Sequence, residues 1–177
     1  RRCSTAGHST SSSGSNSDAV DCNGSQNVLV QDCLIYDISD KGCSFGTANA
    51  FTDPPSNGMI VSNCFIHDVN TCLAVKDKST ASFYHCTFAG SPYGVRLYQK
   101  YSTQVAGGGG RVTNGWNNII WGNGTNLLVA TNSSFVNNYS DIGGTNLAGA
   151  GNLSVDPLFL DPTVDDHRLA SHSPCVG

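Results

Sequence analysis

Six charged side chains in the first hundred residues are the ones from which chemistry could be built. They are Asp18 and Asp21, spaced Asp-x-x-Asp, then Asp40, Lys41, Lys76 and Arg96. Carboxylate oxygens are what a hard cation such as Ca2+ selects, and it takes several of them. An amine becomes a general base near neutral pH only where its surroundings lower its pKa. Both conditions concern environment, so the elements that carry these residues decide what they can do. The five histidines, His8, His67, His85, His167 and His172, lack helical metal-ligand spacing and are read as surface or turn residues. No Gly-x-Ser-x-Gly elbow occurs, and the run Gly107 to Gly110 lacks the Lys-Ser/Thr of a phosphate loop.

The positioning elements show as a repeat. Segments 28–37, 59–68 and 81–90 can be laid over one another, which brings Cys33, Cys64 and Cys86 to the same point. A second short strand follows each, at 42–45, 72–75 and 94–97. Units of strand, polar turn, strand, polar turn at this period are coils stacked on copies of themselves. Helical periodicity for ankyrin or tetratricopeptide units is missing, as is the Leu-x-x-Leu-x-Leu frame of leucine-rich repeats. A β-sandwich would not need corresponding residues at matching positions. Val20, Cys43, Leu73 and Val95 form one column, and Cys22, Phe45, Val75 and Leu97 another. Strand alternation sends both inward and turns Asp21, Ser44, Ala74 and Arg96 outward. Asn118 takes the cysteine position in a later coil. The expected organisation is one domain over 1–177, with a Ser-rich segment at 1–17, inserted loops at 47–57 and 99–110, and a closing segment at 152–177.

Composition narrows the function classes. A net charge of −4 and the absence of any basic run argue against a nucleic-acid partner. No apolar stretch reaches the length of a membrane span. Eight cysteines without a Cys-x-x-Cys pair argue against a zinc ribbon or thioredoxin-type site and for an oxidising compartment. The chain opens Arg1-Arg2-Cys3 without an initiator Met, which is read as a mature, secreted product.

Several elements carry a resemblance: Asp40-Lys-Gly42, the run Ala74 to Ser79, the run Gly94 to Lys100, Asn118-Ile-Ile-Trp-Gly-Asn123 and the ending Asp156-Pro-Leu-Phe-Leu-Asp-Pro162 with Ser173-Pro-Cys175. The chain resembles secreted β-helix repeat proteins of the pectate-lyase-like superfamily. That implies an all-β, single-stranded right-handed parallel β-helix (a β-solenoid) of six or seven coils. Many relatives place Asn where this chain has Cys33, Cys64 and Cys86. Coils lie about 4.8 Å apart and disulfides tolerate Cα separations of about 4.4–6.8 Å. The ladder cysteines can therefore be inter-coil disulfides or a stack of buried thiols. Cys3, Cys22, Cys33, Cys43, Cys64, Cys72, Cys86 and Cys175 are all disulfide candidates, with connectivity open.

The resemblance also implies roles. In β-helix polysaccharide lyases an Asp-lined Ca2+ neutralises a uronate carboxylate while Lys or Arg removes the α-proton. The implied metal ligands are Asp18, Asp21 and Asp40, and the implied bases or substrate clamps are Lys41, Lys76 and Arg96. Against this, the acidic residues form only isolated pairs. Lys76 and Lys78 flank Asp77 in a turn, where charges commonly face water, and Arg96 reads equally well as an outer-face charge. Tyr93, Tyr98, Tyr101, Trp116 and Trp121 are candidates for a sugar-stacking strip. Sequons at Asn23, Asn123, Asn132, Asn138 and Asn152 are candidate glycosylation sites, although a chain so rich in Asn, Ser and Thr acquires several by chance. The expected function is a secreted extracellular structural or surface protein. It is expected to be non-catalytic, glycan-associated and self-assembling into a filament or layer. The alternatives are a polysaccharide lyase or related carbohydrate-active enzyme, and a non-catalytic carbohydrate-binding adhesin.

Overall fold

Short β-branched and aromatic runs separated by Asn, Asp and Gly cannot make long strands, and here they make three short ones per turn of a coil. The computed structural model describes residues 3–5, 17–47, 54–101 and 108–176. The first coil holds β1 (Cys3–Thr5), β2 (Val20–Asn23) and β3 (Leu29–Gln31). The second holds β4 (Cys33–Ile35), β5 (Ile38–Gly46) and β6 (Met59–Ser62). The third holds β7 (Phe65–His67), β8 (Val69–Lys76) and β9 (Thr80–Tyr84), and the fourth β10 (Thr87–Ala89), β11 (Tyr93–Tyr98) and β12 (Arg111–Trp116). The fifth holds β13 (Ile119–Trp121), β14 (Thr125–Val129) and β15 (Ser134–Phe135), and β16 (Asp141–Ile142) begins a sixth. Each strand pairs in parallel with its counterpart in the next coil. Three faces result: β1-β4-β7-β10-β13-β16, β2-β5-β8-β11-β14 and β3-β6-β9-β12-β15.

Segments that read as single ten-residue strands are each two strands joined at a corner. Asp32, Asn63, His85, Asn117 and Tyr139 sit at these corners with φ of 55°, 51°, 53°, 54° and 48°. Asp and Asn tolerate this left-handed conformation better than other non-glycine residues. The corner N–H groups also join coils, as Asp32 N donates to Ser62 O at 3.1 Å and Asn63 N to Tyr84 O at 2.9 Å.

The core is a set of stacked columns. Val20, Cys43, Leu73, Val95 and Leu127 share one register position on the second face, and Cys22, Phe45, Val75 and Leu97 another. Ile35, Ile66, Phe88, Ile120 and Ile142 form the column inside the first face. Phe45, Phe83, Phe88, Ile66, Leu73 and Leu97 are wholly buried, each contributing about 1.5–3 kcal/mol. The outward row Asp21, Ser44, Ala74 and Arg96 is in register as expected. Ser44 and Ala74 are nevertheless buried, because side chains from neighbouring rows fold over them.

The residue after each corner builds a ladder. The strand register places Cys3 over Cys33, Cys33 over Cys64, Cys64 over Cys86, Cys86 over Asn118 and Asn118 over Ser140. Of the disulfide candidates, Cys22, Cys43, Cys64, Cys72, Cys86 and Cys175 are thiols. Cys33 Sγ points to Gln31 O at 3.2 Å, and the Cys3 side chain lies outside the described residues. The ladder thiols Cys64 and Cys86 stay unlinked because stacked, parallel side chains keep their β-carbons about one coil spacing apart, whereas a disulfide draws them to about 3.8 Å.

Two expectations about loops are revised. The ends of the 47–57 insertion pack onto the coil, where Ser56 is buried and its N lies 3.2 Å from Gly46 O. Residues 48–53 lie outside the description. In the 99–110 insertion, 102–107 lie outside it, but Gly108, Gly109 and Gly110 are buried parts of the coil. A Cβ on Gly110 would sit 1.9 Å from Val75 O. These glycines allow a close backbone approach.

After the stack, β17 (Phe159–Asp161), a 3-10 turn (Pro162–Val164) and β18 (Asp166–Leu169) form an antiparallel hairpin. It packs on the first face, with the His167 ring 5.0 Å from Phe65 and 5.6 Å from His67. His67 is accordingly buried, contrary to the surface or turn role expected from its sequence context.

Candidate functional site

The second face carries a cleft of about 540 Å³ lined by Ser17, Asp18, Asp21, Asn23, Lys41, Thr47, Lys76, Tyr98, Lys100 and Tyr101. Four of the six charged residues singled out from the sequence line it, and the other two adjoin it. The row one step beyond the outward Asp21–Arg96 row supplies Asn23, Gly46, Lys76 and Tyr98, in register across four coils. A Cβ on Gly46 would meet Lys76 Cε at 2.8 Å. Glycine there lets the Lys76 stem lie flat along the sheet, where Nζ reaches Ser44 Oγ at 2.8 Å.

A bulge in β5 between Ile38 and Lys41 shifts the register against β8, and such bulges re-aim side chains. Here it turns Lys41 into an ion-pair network. Lys41 Nζ contacts Asp18 Oδ1 at 3.3 Å and also Asp40 Oδ2, while Asp18 Oδ1 accepts from Lys41 N at 3.1 Å. Burial opposes the Lys41 charge, but the Asp40 hydrogen bond and the Asp18 charge outweigh it and raise its pKa. Lys41 is a fixed cation, unsuited to be a base.

Lys76 has the opposite surroundings. Burial is the main force pushing its pKa down, Asp21 partly opposes this, and the Lys41 and Lys100 charges push the same way as burial. Among the described residues no carboxylate pairs with its ammonium. A lysine held so is suited to general-base work. Burial raises the pKa of Tyr98, and Lys41, Arg96 and Lys100 pull it back in part. Arg96 itself is held between Tyr93 and Tyr98, its Cζ 4.3 and 5.0 Å from the two ring centroids. A guanidinium there supplies field and no proton acceptor.

Of the turn charges expected to face water, Lys78 does, but Lys76 and Asp77 are buried. Asp77 Oδ1 accepts from Lys100 N at 2.7 Å and Tyr101 N at 3.1 Å, so it positions two residues of the cleft wall. The coil that brings Lys100 back over β8 makes this contact, and no spacing in the sequence signals it.

The implied calcium ligands do not fit that role. Asp18 and Asp40 turn their oxygens to Lys41, and Asp21 Oδ2 accepts from Asn23 Nδ2 at 2.8 Å. Ca2+ takes six to eight oxygens, and these three carboxylates do not converge on one. The aromatic candidates do not form one strip either. Tyr93, Tyr98 and Tyr101 belong to the second face, Trp116 to the third beside Tyr139, and Trp121 to the first. Among the sequons, the Asn123 and Asn152 amides are committed inside the fold. Asn123 Nδ2 donates to Phe88 O at 2.9 Å and Asn152 Nδ2 to Asn137 O at 2.8 Å. Asn23 and Asn132 are exposed and Asn138 is half-buried.

Residues 3–108, more than half of the chain, match the family model for the right-handed β-helix region. No curated protein and no solved structure matches the chain at a significant level. The match covers the coils that build the cleft, from β1 to the Lys100–Tyr101 wall.

Proposed function

The chain belongs to the right-handed β-helix family, a scaffold that leaves function to its surface, and we propose that it binds uronate-containing polysaccharide in this cleft and cleaves it by β-elimination. The observation that carries the reading is Lys76, a buried amine with no carboxylate partner among the described residues, on the floor of a groove whose walls hold Lys41 and Lys100. In this reading Lys100, with the field of Arg96 beside it, holds the uronate carboxylate and stabilises the charge that develops when the α-proton leaves. Lys76 Nζ takes that proton, its electrons form the new carbon–carbon double bond, and the glycosidic oxygen departs from the β-carbon. The Tyr98 phenol, kept protonated by burial, gives the departing oxygen its proton. No step requires calcium.

Absorbance of the unsaturated uronate product tests the reading, alongside retention of the protein on immobilised acidic glycan. The expected result is turnover by the wild type and at least a thousand-fold loss in Lys76→Met, with retention kept within a few-fold. Retention without turnover would convert the cleft into the binding site of an adhesin. Neither retention nor turnover on any uronate polymer would sink the proposal.

The structural reading has separate support. The last full coil ends in the edge strands β14 and β15, and Leu128, Val129, Val136, Leu153 and Val155 are exposed at that end. An unpaired edge with apolar neighbours suits a second copy. Light scattering decides this, and a monomer at high concentration would dismiss it. Secretion belongs to this structural reading and is supported by the content of eight cysteines.

A further inference from the structure

The hairpin that closes the chain does more than cover the first face: it brings a carboxylate from residue 165 to a histidine nearly a hundred positions earlier. One donor atom each from His67, Asp68 and Asp165 lies within 4.8 Å of the other two. His67 is buried and stacks between Tyr36 and Phe65, with ring centroids at 5.3 and 4.4 Å. That packing fixes the plane of its imidazole. Its Nδ1 lies 2.7 Å from Asp68 Oδ2. Asp165 caps the 3-10 turn in a left-handed conformation, φ 61°, at the tip of the hairpin.

A second observation concerns His167. Its Nδ1 is buried with no hydrogen-bond partner among the described residues, and its ring lies 5.6 Å from that of His67. Buried polar nitrogens are nearly always partnered. Imidazole and carboxylate together suit a borderline divalent transition ion better than Ca2+ or Mg2+, which prefer all-oxygen shells.

We propose that His67, Asp68 and Asp165 form a binding site for a divalent transition-metal ion such as Zn2+, beside the unpartnered His167 Nδ1. The ion would sit between His67 Nδ1 and Asp68 Oδ2, which now lie 2.7 Å apart. It fastens the closing hairpin, through Asp165, to the third coil of the solenoid. The exposed Asp68 and Asp165 side chains rotate inward to complete the shell. The buried His67 ring needs no movement, which makes the site half-formed before binding.

Co2+ is the informative probe, because this chain also carries thiols that bind soft metals. Metal-free protein in reducing buffer would be titrated with Co2+ and followed by its visible absorbance, then challenged with Zn2+. The expected result is one equivalent bound without a thiolate-to-cobalt charge-transfer band. Zn2+ should displace it, and proteolysis within 156–176 should slow on binding. Asp165→Ala, on an exposed residue, should keep the circular dichroism of the parent and lose at least ten-fold in affinity. His67→Gln, which keeps much of the stacking shape, should lose more. A thiolate band, or wild-type affinity in Asp165→Ala, would overturn the site.

Discussion

One position in the coil is filled by two chemistries, and the contrast explains how the stack is held. In the first half the ladder residues are Cys33, Cys64 and Cys86; in the second they are Asn118 and Ser140, followed by Asn152, whose Oδ1 accepts from Ser140 N at 3.3 Å beside the Asp141–Leu153 bridge. Both halves meet the same demand, a backbone carbonyl of the previous coil that points into the corner. Cys64 Sγ lies 3.6 Å from Val30 O and Cys86 Sγ 3.5 Å from Val61 O. At the equivalent place Asn118 Nδ2 reaches Phe83 O at 3.1 Å. The amide also accepts from Cys86 N at 3.0 Å and donates to Asn137 Oδ1 at 3.2 Å. Thiols therefore fill the corner as small hydrophobes with weak donors, while the amide ties three coils together. The cysteine half rests on packing and the amide half on hydrogen bonds.

The sharpest break in that comparison is Asn118→Ala. It strands the Cys86 N–H and the Phe83 carbonyl in a buried corner, at about 1–3 kcal/mol each, so a loss of roughly 3 kcal/mol or more is expected in urea unfolding. Asn118→Cys, which extends the thiol half by one coil, should recover part of that loss. If Asn118→Ala costs less than Cys86→Ala, the amide is not the stronger tie.

Cys64→Ala and Cys86→Ala should each cost about 1–2 kcal/mol, the range for loss of a small buried group. Their effects should be similar to each other and insensitive to added reductant. A reductant-dependent midpoint would mean that the ladder is covalently linked.

The smallest expected effect is on alkaline stability. Burial pushes Cys72 up to about 12 from 9.0 and raises Cys43 in the same direction. Above pH 9 the unfolded chain releases thiol protons that the folded chain keeps, so stability falls with rising pH. The contribution is whole below pH 9 and disappears as the pH climbs towards 12. Lys41, also raised, acts in the same sense, whereas lowered Lys76 gains stability as it deprotonates. Chemical denaturation at pH 8 and pH 10.5 should therefore show a smaller drop in Cys72→Ala than in the parent. An equal drop would remove Cys72 from the account.

Much of the scaffold was legible in the residues. The columns Val20–Val95 and Cys22–Leu97 follow from period-two alternation, and the ladder follows from the equal placement of Cys33, Cys64, Cys86 and Asn118. The corner within each ten-residue segment was missed. Its only mark is a residue such as Asp32, Asn63 or His85 before the ladder position, and a turn of one residue leaves no glycine or proline signal. At the site, Lys41, Lys76 and Asp18 were legible as charges, but their roles were not. Lys41 and Lys76 are the same residue type, and only burial and the position of Asp18 and Asp40 make one a fixed cation and the other a candidate base.

The sequence by itself determined the repeat, the inward columns and the strand order, because these depend on local alternation and on like residues stacking at a fixed period. Tertiary structure alone decided the rest. It laid Lys76 over Gly46, placed Asp77 beneath Lys100, kept Cys64 and Cys86 as parallel thiols and carried Asp165 to His67. Each of these joins residues from different coils or from the closing hairpin, and pKa, metal geometry and disulfide reach depend on distances that one-dimensional spacing does not contain.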